Sequence, residues 1–306
     1  MTRALVAGGA GFIGRNLVKR LLDGGVEVAI LDDLSSPSPL GPPEGATFYK
    51  GSVVDPPPLD GRFDFVYHLA SPASPPRYLA NPIGTLRAGA EGTRQMLDRA
   101  ATDGAVFLLA STSEIYGDPA EHPQPESYFG NVDVTSPRSC YDEAKRYAEA
   151  LTYAYQRSGE LAQVRVARIF NTYGPAMAPD DGRIITNLLT QALDGEPLTL
   201  YGDGSQTRSF CYIDDLVDGL VLLAQSTVSG PINLGSPSEM TVADFADVVA
   251  ELLGNTGRVY KDLPVSDPAR RQPDISLARS ALGWEPTVPL IDGLQRTIAY
   301  LRDLRS

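Results

Sequence analysis

The chain has 306 residues, of which 42% are apolar, and carries a formal net charge of −12. That length buries a substantial core in one large or two smaller domains. The acidic balance disfavours nucleic acid and anionic membrane surfaces as partners, although a local group of arginines still serves an anionic small substrate at contact range. Two cysteines, Cys140 and Cys211, are too few for a disulfide framework and suit a reducing compartment. The two histidines, His68 and His122, have no metal-ligand spacing, so no metal is expected. No stretch is apolar enough to span a bilayer, and the first fourteen residues lack a signal-peptide cleavage pattern. A soluble, cytoplasmic protein is the expectation.

In chain order, residues 4–7 read as a short buried strand. Residues 12–22 read as a helix with Ile13, Leu17, Leu21 and Leu22 on one side, and residues 26–31 as a second strand. Residues 35–45, rich in Pro, Ser and Gly, are a surface loop, and Pro56-Pro57-Pro58 is a further break. A strand at 63–69, a long helix at 81–100, a strand at 105–110 and a helix at 141–157 follow. Such alternation predicts a parallel sheet covered by helices on both faces. After about residue 170 the rhythm changes. A helix at 184–193 precedes a turn at Tyr201-Gly202-Asp203-Gly204, an alternating strand at 208–213, and helices at 214–224, 242–253 and 290–304. The expected fold is α/β, with a Rossmann-type doubly wound parallel sheet over residues 1–170 joined by later segments around 205–235. Residues 171–306 mainly form a smaller, partly discontinuous α/β substrate-binding domain.

Gly8-Gly9-Ala10-Gly11-Phe12-Ile13-Gly14 follows the first strand and opens the first helix. Glycines at 8, 11 and 14 let the backbone turn tightly and approach a pyrophosphate resting on the helix N-terminus. The spacing is the GxxGxxG variant, and taken alone such a triplet also suits an ordinary strand–helix turn. Asp32 closes the second strand, where an acid binds the adenosine ribose hydroxyls. With Asp33 next to it and no arginine close in sequence, NAD is expected rather than NADP.

The strand at 105–110 runs into Ser111-Thr112-Ser113-Glu114, and the helix at 141–157 carries Tyr141 and Lys145 on one face. A neighbouring ammonium stabilises a phenolate and draws a tyrosine from its usual value near ~10 towards working pH. Tyr141 is therefore the expected general base, Lys145 the residue that lowers its pKa and bonds the nicotinamide ribose, and Thr112 a second partner of the reacting hydroxyl. Tyr141 and Lys145 could equally be a surface pair, and Glu114 a capping carboxylate. What favours chemistry is the agreement of glycine loop, strand end and Tyr–Lys helix. Glu114 beside the base suggests a step beyond hydride transfer.

These residues resemble the extended short-chain dehydrogenase/reductase superfamily and, more narrowly, the UDP-glucuronate decarboxylases, over nearly the whole chain. The carriers are the glycine run, His68-Leu-Ala-Ser-Pro-Ala-Ser-Pro75, Leu109-Ala-Ser-Thr-Ser-Glu-Ile-Tyr-Gly-Asp118 and Pro137-Arg-Ser-Cys-Tyr-Asp-Glu-Ala-Lys145. Further carriers are Ala167-Arg-Ile-Phe-Asn-Thr-Tyr-Gly174, Asp180-Asp-Gly-Arg183, Tyr201-Gly-Asp-Gly-Ser-Gln-Thr-Arg208 and Asp267-Pro-Ala-Arg-Arg-Gln-Pro-Asp274. The similar 4,6-dehydratases carry Asp-Glu at the Ser113-Glu114 position, and 4-epimerases usually lack the glutamate. The chain departs from the pattern at Ala7, Gly89, Ala176 and Val134-Thr135-Ser136.

The resemblance implies oxidation of a glucuronosyl C4 to a β-keto acid, loss of CO2 and protonation of C5, giving UDP-xylose, a released UDP-4-keto-pentose, or both. It implies that Leu69 and Ala70 line the NAD site beside Phe12 and Ile13. Ser113 binds the substrate carboxylate, Glu114 assists decarboxylation or protonation, and Arg271 contacts the carboxylate region. Asn171, Arg183, Tyr201, Gln206 and Arg208 hold the nucleotide diphosphate, where arginine's planar fork meets phosphate oxygens. It also implies a homodimer, in which the helices at 81–100 and 141–157 pair into a four-helix bundle. The competing readings are a UDP-hexuronate 4-epimerase and, from a different class, a catalytically silent NAD(H)-sensing protein. A sensor has no need of the Thr112, Tyr141 and Lys145 set.

Overall fold

The computed structural model describes residues 1–254, 257–263 and 269–306. The first six strands are β1 (Arg3–Ala7), β2 (Glu27–Asp32), β3 (Thr47–Lys50), β4 (Phe65–His68), β5 (Val106–Thr112) and β6 (Val164–Ile169). Short strands β7 (Thr172–Tyr173), β8 (Leu198–Tyr201), β9 (Thr207–Ser209) and β10 (Cys211–Tyr212) precede β11 (Pro231–Leu234). The main sheet is seven-stranded and parallel, in the order β11-β6-β5-β4-β1-β2-β3. This is the expected Rossmann-type arrangement. The segment after residue 205 contributes β11 to it.

Both faces of the sheet are covered, which is why its central strands are nearly continuous apolar runs. Alternate residues pack on opposite sides. Leu108 and Ala110 join the core that includes Leu17 of helix α1 (Phe12–Asp23). Phe107 and Leu109 join a second core containing Met96, Leu97 and Ala148. Chain order reverses between β1 and β4, and this opens a crevice at the carboxyl ends of the strands, the usual ligand position in such sheets.

The helix expected at 81–100 is three pieces. After α2 (Pro75–Ala80), Asn81 caps α3 (Pro82–Arg87) by accepting from the Gly84 amide, a π-helical turn spans Ala88–Gly92, and α4 runs Thr93–Asp103. Two glycines in the π turn let it press on its neighbours. A Cβ at Gly89 would lie 2.6 Å from Ala144 Cβ and 2.8 Å from the Ala144 carbonyl oxygen, and one at Gly92 would lie 2.6 Å from a Val53 methyl. Ala144 belongs to α5 (Ser139–Ser158), a helix ended by Gly159 at φ +81°.

The strand expected at 208–213 is also divided. β9 joins a small sheet with β12 (Glu239–Thr241) and, after β13 (Arg258–Lys261), with β14 (Arg270–Arg271). Phe210 turns inward onto Phe245, β10 pairs with β7, and Ile213 begins a helix. One alternating run thus serves two sheets. β3, short and half-exposed, gave no periodic signal.

Because Gly89 sets the approach of the π turn to α5, Gly89→Ala is expected to destabilise the protein by about 1–3 kcal/mol through overpacking. Urea unfolding measures this, and an unchanged midpoint would refute the constraint.

Candidate active site

One cleft of about 1290 Å³ gathers every candidate cofactor, catalytic and substrate residue named from the sequence. The loops after β1, β2 and β4 bring Gly8, Gly11, Phe12, Ile13, Gly14, Asp32, Leu69 and Ala70. β5, the turn after it and α5 bring Thr112, Ser113, Glu114, Tyr141 and Lys145. Later segments bring Asn171, Arg183, Tyr201, Gln206, Arg208 and Arg271. Asp267 and Pro268, the start of the segment containing Arg271, lie outside the described residues.

At the glycine loop, Gly8 has φ +84° and no room for a side chain, since a Cβ would stand 2.6 Å from the Ala70 amide nitrogen. A Cβ at Gly14 would fall 2.0 Å from the Gly8 carbonyl oxygen. Gly11 is different. Its Cβ position has nothing nearer than 3.5 Å, and it is the N-cap of α1, with no side-chain cap and no acid in the first turn. The first amides of a twelve-residue helix therefore face the cleft beside an open glycine, an arrangement that fits a pyrophosphate. Asp32 accepts from the Ala10 amide at 2.9 Å and the Leu34 amide at 2.8 Å. Burial raises its carboxyl and these amides oppose that rise. A carboxylate has about four acceptor sites, so lone pairs remain for ribose hydroxyls, while its charge repels a 2′-phosphate. The residues fit NAD.

Strand β5 continues through Thr112, and Ser113–Tyr116 forms a 3₁₀ turn whose second amide, that of Glu114, bonds the Thr112 hydroxyl at 3.2 Å. The turn aims Glu114 at two arginines. Arg138 Nη2 lies 2.7 Å from Glu114 Oε2 and Arg271 Nη2 lies 3.3 Å from it. Burial would raise the Glu114 carboxyl, but the charges of Arg271 and Arg138 hold it down at about 2. Arg271 is 1% exposed; it also donates to the carbonyls of Ser113 and Gly117. It thereby organises the turn as well as the carboxylate, and its buried Nε has no hydrogen-bond partner.

Tyr141 does not follow the expectation that Lys145 lowers it. Burial pushes its phenol up to about 12, and the opposing influences are a hydrogen bond from Thr112 and the charge of Arg183. Lys145 Nζ sits 5.9 Å from the Tyr141 ring centre and donates to the Ala110 carbonyl at 2.8 Å. Burial in turn lowers the Lys145 ammonium to about 8, with Glu149 resisting. His68, buried beside Thr93 at 3.0 Å, falls to about 3 through burial and the Lys145 charge, and is neutral.

Arg183 is held by Asp181 through contacts of 2.6 and 3.0 Å, the Tyr201 carbonyl accepts from Gln206, and Arg208 donates to the Thr207 carbonyl. Sequence reasoning missed three neighbours. Arg138 stands three residues before Tyr141, a spacing that the helix phase could have revealed. Tyr78 stacks on Tyr141 with ring centres 5.1 Å apart and planes 7° apart, a contact that no local pattern announces. Asp142 is buried with one oxygen unbonded; burial and Glu114 push it up to about 7 against Arg138 and Arg271.

Known proteins resemble the chain over nearly its whole length. UDP-glucuronic acid decarboxylase 1 of Xenopus tropicalis is 49% identical over 306 residues, covering 98% of this chain and 72% of that protein. The protein of the same name from Arabidopsis thaliana is 46% identical, covering 98% and 70%. Among solved structures, UDP-glucose 4-epimerase of Thermotoga maritima with UDP-glucose superposes with a TM-score of 0.92 at 29% identity over 100% of both chains. UDP-glucuronic acid 4-epimerase of Bacillus cereus, in complex with UDP-glucuronic acid and NAD, superposes with a TM-score of 0.87 at 29% identity, covering 99% and 100%. The NAD dependent epimerase/dehydratase family model matches residues 4–235. The chain belongs to that family.

Proposed function

We propose that the chain decarboxylates UDP-glucuronate with the help of NAD, yielding UDP-xylose, UDP-4-keto-pentose or both. The observation that carries this reading is an arginine-clamped, ionised Glu114 in the same cleft as Tyr141 and Thr112. Relatives named UDP-glucuronic acid decarboxylase are 46–49% identical to the chain, against 29% for the two 4-epimerase structures. That difference favours decarboxylation over epimerisation.

Gly8, Gly11, Phe12, Ile13, Gly14, Asp32, Leu69 and Ala70 would hold the cofactor, with Tyr141 and the charged Lys145 ammonium at its nicotinamide ribose. Bound NAD⁺ supplies the hydride acceptor that oxidises C4 and the donor that reduces it afterwards. As a phenolate, stabilised by the Thr112 hydroxyl and the Arg183 charge, Tyr141 takes the C4 hydroxyl proton and becomes the neutral phenol. The resulting C4 ketone is β to the C6 carboxylate, so breaking the C5–C6 bond releases CO2 and leaves an electron pair delocalised as the enolate. Tyr141 and Thr112 are placed to bond its oxygen. A proton from water then adds at C5, because Glu114, held at about 2, has no proton to give at neutral pH. Its work is to keep Arg138 and Arg271 in place around the carboxylate end of the sugar, with Ser113 a further contact. Asn171, Arg183, Tyr201, Gln206 and Arg208 would grip the diphosphate and nucleoside. Residues 1–170 and 205–235 would serve mainly the cofactor, the rest of 171–306 the sugar nucleotide.

The protein is proposed to act as a cytoplasmic homodimer. Both cysteines are buried free thiols, as suits a reducing compartment. Ile83, Leu86 and Tyr147 are exposed on α3 and α5, which pack together and offer an apolar face to a second copy.

Incubation with UDP-glucuronate and NAD⁺, followed by mass spectrometry, is expected to give products lighter by CO2. A product of unchanged mass would overturn the reading in favour of epimerisation. Glu114→Ala is expected to slow CO2 release by roughly 100-fold or more while NAD binding stays within a few-fold of wild type. Tyr141→Phe should lose C4 oxidation by a similar factor, roughly 100-fold. Stopped-flow absorbance of the reduced nicotinamide together with CO2 trapping separates these two steps, and undiminished oxidation by Tyr141→Phe would remove it from the role of base.

A further inference from the structure

Three successive residues of β5 are fastened to three residues of α5 spaced four apart. Thr112 bonds the Tyr141 phenol, the Ala110 carbonyl accepts from Lys145 Nζ, and the Ser111 hydroxyl donates to Glu149 Oε1. Positions 141, 145 and 149 lie one above another on a single helix face. The first two rungs belong to the site already described, and the third has no part in it. Glu149 is nonetheless 7% exposed and fully engaged: Arg168 grips it from β6 through Nε at 3.1 Å and Nη2 at 2.9 Å. Arg168 faces Ser111 across the β5–β6 pair, so one carboxylate ties both strands to the helix.

We infer that Glu149 is a positioning residue, the fixed counter-charge that keeps the Lys145 ammonium both charged and in register beneath Tyr141. Lys145 is 5% exposed and donates to a neutral carbonyl, so an anion one helical turn away is what opposes the cost of burying it. The other groups facing the pair are His68 on β4, Tyr141 and Tyr153 on α5, Tyr116 in the 3₁₀ turn and Arg168, with Glu126 beyond Arg168 and Tyr116. His68 is neutral at working pH, and in the substrate-free protein burial keeps the three tyrosines protonated, Tyr141 passing through its phenolate only in turnover. That leaves Glu149 as the anion that acts on Lys145. Arg168 shares it, which fixes its position and moderates its pull on Lys145.

The sign of the effect follows. An ammonium that burial already lowers to about 8 loses its proton as pH rises through that value. Removing the Glu149 charge lowers it further and brings the loss to lower pH. The inference rests on the site proposed above, so its test includes a signal read without turnover. The side-chain ¹⁵N resonance of Lys145, assigned by its absence in Lys145→Arg, is titrated in the substrate-free protein alongside the pH profile of kcat. In Glu149→Gln both midpoints are expected to fall by about one pH unit. Because that variant leaves Arg168 buried without its partner, Glu149→Gln/Arg168→Met is made in parallel; it removes both charges together, and since Arg168 moderates the pull of Glu149 its midpoints should fall in the same direction by less. Glu149→Asp keeps the charge and should hold the wild-type midpoints even if the protein melts earlier. Midpoints that stay in place in both neutral variants, or a fall in Glu149→Asp equal to that of Glu149→Gln, would overturn the inference. Loss of turnover on UDP-glucuronate with an intact Lys145 titration would instead fault the substrate assignment alone.

Discussion

Glu114 with Arg138 and Arg271 on either side is the interaction around which the site is arranged. A carboxylate pushed into a crevice tends to take up a proton, and here two guanidinium charges prevent that. The partners come from separate parts of the chain. Glu114 follows β5, Arg138 precedes α5, and Arg271 reaches in from β14. The cluster therefore forms only when the sheet, the catalytic helix and the small sheet are assembled. A buried charge pair of this kind contributes little net stability but costs several kcal/mol when one partner is removed, which makes it a device for holding geometry.

The same principle explains how a chain of net charge −12 accommodates an anionic sugar nucleotide. Positive charge is concentrated where it is needed. Arg138, Arg183, Arg208 and Arg271 line the cleft, while Asp32 and Asp33 line it at the end of β2. An acid at that strand end selects ribose hydroxyls over a 2′-phosphate, and arginines at the other segments meet phosphate and carboxylate. Distant surface acids act through solvent and are screened within about 10 Å at ordinary ionic strength.

Much of this was legible in the sequence because it is local. The glycine run, Asp32 at a strand end and Tyr141 four residues before Lys145 are each defined by short spacings that backbone geometry makes meaningful. Arg271 and the nucleotide-contacting residues became visible only through resemblance, since nothing near them in the chain fixes what they touch. Arg138, Tyr78 and the Glu149–Arg168 pair were missed. The partners of Tyr78 and of the Glu149–Arg168 pair are set by strand register and helix packing, which no periodicity reports, whereas Arg138 precedes Tyr141 by a spacing that the helix phase carries. The Tyr–Lys pairing illustrates the limit most clearly: the spacing places both side chains on one face, but the lysine's bond to the Ala110 carbonyl and the hydrogen bond from Thr112 decide which group acts on the phenol. The π turn was read as ordinary helix because the role of Gly89 lies in a contact with Ala144, not in the helix itself.

The claim on which the chemistry turns is that Glu114 stays ionised and so is not the proton donor. It is tested most directly by ¹³C NMR of carboxyl-labelled glutamate, with Glu114→Gln assigning the resonance. The Glu114 signal should remain at its ionised position from pH 8 downwards and begin to move only as the pH approaches about 2. A titration near neutral pH would contradict the account and return Glu114 to the role of acid.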